Sequence, residues 1–294
     1  MEYKFTTGAE LLELCRSKEM PIYKIMIERE CEMKEIDPSQ VIDSMYDAYT
    51  VMKEAIENGM DSEIKSVGGL IGGGAYKLNT YANTNDSLAG KPMSDAIAAA
   101  MAVSEVNASM GRIVAAPTAG SCGILPGALV KIGLDRGVSD EVIANGLMTA
   151  SAVGMIIARN ATVSGAEGGC QAETGTAAAM AAAGLVEMFD GSPDFALSAA
   201  AFTIKNILGL VCDPIAGLVE CPCEKRNAIG TANAIISADM ALAGISTIVP
   251  FDEVVEAMRS VGRIMSPTLK ETSMGGLADA PTARKLEKGI FGNE

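Results

Sequence analysis

Four cysteines fall in one stretch of the chain, each with Gly or Pro close by: Gly169-Cys170, Cys212-Asp213-Pro214 and Cys221-Pro222-Cys223. Gly leaves the backbone floppy and Pro removes a donor, so helix interiors avoid both. The thiols are therefore expected on turns, where they can converge on one point. Three of them are expected to hold an iron–sulfur cluster that acts on a substrate as a Lewis acid. Against this stands the ordinary behaviour of free cysteine as a small buried hydrophobe. The separations, residues 171–211 and 213–222, fit neither a compact ferredoxin run nor a zinc finger.

The chain has no histidine. Histidine triads, histidine-ligated zinc and histidine general bases are excluded within it, and any metal must be held by sulfur or carboxylate. Sulfur selects iron–sulfur clusters, zinc or copper(I). An odd count of 7 cysteines and an N-terminus, Met1-Glu2-Tyr3-Lys4, without a basic and apolar leader pattern argue for reducing cytosol rather than a disulfide framework.

Two loops can meet a ligand. In Pro117-Thr118-Ala119-Gly120-Ser121-Cys122-Gly123 the hydroxyls and amides lie on an irregular segment that enters a helix near Pro126, an arrangement suited to a carboxylate. Thr118, Ala119, Gly120 and Ser121 are the expected substrate anchors. Ser66 to Lys77 carries five glycines in seven positions, Gly68 to Gly74, so the backbone must approach something closely, and Gly72 and Gly73 are candidate substrate contacts. The phosphate-loop pattern is absent.

The elements that position these loops read as helices. Aromatics are only 4% and Trp is absent, so the core must be built of small side chains that let helices approach closely. The expected class is all-α, a compact helical catalytic domain around buried Ala/Gly-rich central helices. Residues 1–63, with 15 acidic and 7 basic side chains, read as an acidic segment of three amphipathic helices packed on a catalytic domain of residues 64–294. Thr6 or Thr7 caps the first helix, Pro21 opens the second, and Asp37-Pro38 leads into the face Val41, Met45, Ala48, Met52, Ile56, ending at Asn58-Gly59. Further helices are expected over 92–111, 139–158, 172–189, 193–209, 226–244 and 251–261, with a Gly-containing tail at 272–278 returning to the core.

A net charge of −14 without a basic run argues against a nucleic-acid partner. The uncharged runs 113–130 and 142–158 are broken by Pro and Gly or too short to span a membrane comfortably, so both are expected in the interior.

From Ser66 to about Ala278 the chain resembles the alpha chain of the oxygen-sensitive iron–sulfur L-serine dehydratases. The motifs that carry the resemblance are Gly68 to Lys77, Asn107-Ala108-Ser109-Met110-Gly111, Ala116 to Ser121, Gly168-Gly169-Cys170-Gln171-Ala172-Glu173, Cys212-Asp213-Pro214 and Pro222-Cys223-Glu224-Lys225-Arg226-Asn227. The resemblance implies a 4Fe-4S cluster on Cys170, Cys212 and Cys223, with one iron open to the hydroxyl of L-serine, and a beta chain as partner, since the family also occurs as one longer chain. Cys221 matches no family ligand, and Gly74 stands where the family usually has an acidic residue. Lys77 or Lys205, lowered in pKa by burial, or a group on the beta chain is the expected base. Other readings are a pyridoxal-phosphate lyase using Lys77, an L-cysteine desulfidase, and a non-enzymatic metal-binding subunit.

Overall fold

The computed structural model describes residues 2–60 and 63–292. Met1, Asp61, Ser62, Asn293 and Glu294 lie outside the described residues, and with them part of the N-terminus read for a leader and of the expected 1–63 segment.

The first helices begin where the sequence caps them. In α1 (Gly8–Lys18) the Thr7 hydroxyl accepts the Glu10 N–H at 3.2 Å. Pro21 precedes α2 (Ile22–Lys34), and α3 (Pro38–Met60) opens on the Asp37-Pro38 pair. Val41, Met52 and Ile56 of the expected face are buried, while Met45 and Ala48 line an apolar groove with Met52. The expected stop at Asn58-Gly59 is passed. Gly59 serves a close approach instead, since a Cβ there would sit 2.5 Å from the carbonyl oxygen of Ala102.

The chain continues through α4 (Gly74–Thr84), α5 (Lys91–Ala108), a π-helical turn over Pro126–Lys131 running into α6 (Ile132–Asp135), α7 (Asp140–Asn160), α8 (Gly165–Gly168) and α9 (Cys170–Met188). Then come α10 (Pro193–Asn206), α11 (Cys223–Leu242), α12 (Phe251–Ile264) and α13 (Pro281–Phe291). No strand occurs among the described residues, only the isolated bridges Lys65–Gly72 and Cys212–Lys270. The all-α expectation holds.

At the centre lies α9, buried along nearly its whole length among α7, α10 and α11. Its Ala and Gly residues permit this: a Cβ on Gly184 would fall 2.6 Å from the Gly146 carbonyl oxygen, so α7 and α9 cross backbone to backbone. One apolar cluster runs from Phe5, Leu11 and Ile22 in the N-terminal segment through Ile156, Ile157 and Met258. α7 is long and apolar enough to cross a membrane by composition, yet 67% of its most apolar window is buried in the fold. Its apolar surface is taken up by α9 and α2.

Three helices also meet at a half-buried carboxylate. Glu187 on α9 accepts the Thr149 hydroxyl from α7 and the Tyr23 N–H, at 3.3 Å, from α2. Burial pushes its carboxyl up to about 7, against the pull of these donors. The unfolded chain releases this proton from a carboxyl near 4.5, so the folded state binds more protons between pH 4.5 and 7 and stability falls as pH rises through that window. Glu187→Gln keeps a donor and an acceptor in place without the charge. Its unfolding free energy, measured by denaturant titration at pH 5 and 8, is expected to lose on the order of 2 kcal/mol of pH dependence relative to the parent chain.

Candidate active site

Cys170 is the first residue of α9 and Cys223 the first of α11, behind Gly169 (φ 78°) and Pro222 at their N-caps. Cys212 lies extended, its N–H donating to Leu269 O at 2.9 Å and its carbonyl accepting from Glu271 N at 2.7 Å. The expectation of turns is thus corrected for three of the four thiols, Cys170 and Cys223 at helix starts and Cys212 in an extended bridge, and of the four only Cys221 sits in a turn. Gly and Pro beside Cys170 and Cys223 mark helix starts, a second place where both residues are favoured. A thiolate in a first helical turn faces unpaired N–H groups and the positive end of the helix dipole.

Burial opposes ionisation of all three. It pushes Cys170 up, while the Thr174 hydroxyl, 3.1 Å away, and the Arg226 guanidinium pull down. Cys223 is pushed up to about 12 by burial and then by the charge of Cys170. Cys212 is raised by burial, then by Glu173 and Cys170. The thiols therefore act on one another across a shared interior, with Arg226 as the cation beside them. Such a set ionises most readily against incoming positive charge, and so suits metal uptake coupled to proton release. No group of three thiols or carboxylates among the described residues could hold a metal ion. A cluster spreads its sulfur ligands over separate irons, so it does not require the close group of ligands that a lone ion does.

The anchor loop is tied to the thiols by two residues. Thr118 Oγ1 donates to Glu173 Oε1 at 2.9 Å, and the other carboxylate oxygen of Glu173 lies 3.9 Å from Cys212 Sγ. Glycines make room here: a Cβ on Gly165 would meet Glu173 at 2.7 Å and Cys212 Sγ at 2.9 Å. Asn227, one turn beyond Cys223, donates to Gly120 O at 2.8 Å and accepts from Gly123 N at 2.9 Å. The Thr118 and Ser121 hydroxyls stand 3.1 Å apart, and Thr118 leads into a single 3₁₀ turn, Ala119–Ser121.

Arg226 binds the Cys212 segment, donating to Val211 O at 2.8 Å and Asp213 Oδ1 at 2.7 Å. Asp213 in turn accepts the Leu277 N–H at 2.7 Å, which brings the 272–278 tail back to the core as expected. The Gly-rich turn reaches the same segment through carboxylates. Glu220 accepts from Ser66 Oγ at 2.6 Å, Gly68 N at 2.7 Å and Leu70 N at 3.0 Å. Gly73, at φ 68°, starts α4, whose Gly74 N–H donates to the buried Glu105 at 2.6 Å. A Cβ on Gly74 would lie 2.7 Å from Glu224 Oε1.

Gly68, Leu70 and Gly74 are therefore brought to the flank of the 220–224 segment, while Gly72 and Gly73 between them pack against Ile64, Lys65 and Glu63. Lys77 stands exposed on α4, and the exposed Lys205 bonds Thr247 at 3.0 Å, so the burial expected to make either a base is absent from this chain. Asn227, Glu220 and Glu105 were not singled out by sequence. For Asn227 the signal is helical spacing: with helices starting at Cys170 and Cys223, positions three and four residues on are Glu173 and Thr174 in one, Arg226 and Asn227 in the other, whereas Glu220 and Glu105 have no such signal.

The family model for the serine dehydratase alpha chain matches residues 17–278. A Bacillus subtilis protein named probable L-serine dehydratase, alpha chain, is 48% identical over 98% of this chain and 96% of its own length. The L-serine dehydratase alpha chain of Peptoniphilus asaccharolyticus is 45% identical over 96% of this chain and 97% of its own. An L-serine dehydratase of Streptomyces coelicolor is 37% identical over 95% of this chain, which covers only 61% of that longer protein. By the span and identity of these matches, the chain belongs to the serine dehydratase alpha chain family.

Proposed function

We propose that this chain is the catalytic subunit of an L-serine dehydratase, releasing pyruvate and ammonia, and that it works with a beta chain. Cys170, Cys212 and Cys223 hold a 4Fe-4S cluster. The observation that supports this reading best is the link from the Thr118 hydroxyl through Glu173 to the buried Cys212, which ties the 118–121 loop to one of the thiols. When bound, the cluster supplies an open iron as a Lewis acid for the departing hydroxyl.

The chain's own groups orient the substrate. Ala119, Gly120 and Ser121 take its carboxylate through amides and the Ser121 hydroxyl, on a loop opened by Thr118, whose own proton goes to Glu173, and Asn227 holds that loop at a fixed distance from Cys223. Glu173 fixes the Thr118 hydroxyl. Gly72 and Gly73 take the substrate's side of the Gly-rich turn, whose first half Glu220 clamps at Ser66, Gly68 and Leu70.

Anaerobic reconstitution with iron and sulfide, together with the beta chain, tests the reading. Iron and sulfide should bind in cluster proportion, and pyruvate should form from L-serine faster than from L-cysteine. A discrete imine absorbance without iron, or a preference for L-cysteine, would overturn it.

A further inference from the structure

The helix that starts at Cys223 has its side chains the wrong way round for a solvated surface. Facing inward are Gly230, Ala234, Ser237 and Ala238, which let α11 lie close against α9 and α5. Facing outward at three- and four-residue spacing are Ile229, the half-buried Ala232 and Ile236, with Ile229 59% and Ile236 48% exposed. In the segment that follows the helix, Ile245 is 51% and Ile248 96% exposed. From Asn227 to Phe251 the chain carries one charge, Asp239. A solvated face would carry several, and an aliphatic stripe whose one charge, the exposed Asp239, lies at its far end marks a contact surface.

We propose that this seam is the seat of the beta chain, which rests on the reading of the protein as an alpha subunit. The Streptomyces coelicolor relative extends well beyond the 61% of its length that this chain covers, whereas the alpha-chain relatives are covered almost end to end. In one long chain the peptide link keeps the two parts together at high effective concentration. In a split enzyme the surface alone must hold them, which requires an apolar seat. A second copy of this chain fits less well, because two molecules of net charge −14 repel. The seam starts at Ile229, not quite two turns along the helix that Cys223 begins, so its occupant stands on the side of the fold that holds the site.

The experiment is co-purification of this chain with a tagged beta chain of its own organism, in the parent form and as Ile229→Glu and Ile236→Glu. Ile264→Glu, at an exposed position on α12, serves as control. Both seam variants are expected to bind beta at least about ten-fold more weakly, with iron content and unfolding of the alpha chain unchanged and turnover restored by excess beta. The control should bind as the parent does. Parent-like binding by both seam variants overturns the proposal. So does an alpha chain that sediments alone as a dimer and becomes monomeric with Ile236→Glu, which would assign the seam to a second copy. A parent chain that neither pairs with beta nor turns over serine sinks the alpha-subunit reading itself, and the two failures are thereby told apart.

Discussion

Cys212→Ser is expected to lower serine turnover by on the order of a thousand-fold while changing the stability of the metal-free chain by no more than about 1 kcal/mol. The side chain is 4% exposed and its backbone is fixed on both sides by Leu269 and Glu271, so an oxygen of similar size leaves the fold undisturbed. An alkoxide, however, is a far poorer partner for iron than a thiolate. Loss of an outer partner of a metal ligand typically costs ten- to a hundred-fold, and loss of a ligand must exceed that. Iron per folded chain, turnover per iron and thermal unfolding should be read together. A variant that keeps its iron and its turnover would show that position 212 is not a ligand. A variant that loses stability and turnover in proportion would return it to the role of a core residue.

The same experiment separates what sequence could and could not reveal. The small-residue core was legible because absent Trp and abundant Ala and Gly leave no other way to fill space, and α7 and α9 do cross at Gly146 and Gly184. Thr7, Pro21 and Pro38 were legible as helix starts because capping is local chemistry. Pairing was not. Gly59 could be read as a stop or as a contact, and only the neighbouring Ala102 decides between them. Gly169 and Pro222 posed the same ambiguity, since a residue that breaks a helix also begins one. Taking them as turns hid the spacing that brings Glu173 and Asn227 onto the faces of Cys170 and Cys223. The exposure of Lys77 was likewise beyond local pattern, because burial is a property of the assembled fold. Neighbours far apart in sequence, such as Glu220 and Gly68, leave no periodic trace.

Asn227→Ala is the other substitution expected to act strongly, and it does so through position rather than through chemistry. Asn227 is 1% exposed and its amide is fully used: it accepts from Gly123 N at 2.9 Å and donates to Gly120 O at 2.8 Å and to Cys223 O at 2.9 Å. Alanine would leave a backbone donor and an acceptor buried without partners, and each such group costs roughly 1–3 kcal/mol. A total of about 4 kcal/mol is expected in denaturant unfolding. The loop that carries Thr118 to Ser121 would then be free to drift from the start of α11, so KM for serine should rise about ten-fold or more, with iron content retained at low temperature. Aspartate, close in shape, should fare worse than its size suggests, since it keeps the acceptor for Gly123 but turns an oxygen lone pair toward Gly120 O and buries a charge. If Asn227→Asp matched the parent in both stability and KM, the bond to Gly120 would contribute nothing, and the anchor loop would have to be held by Glu173 alone.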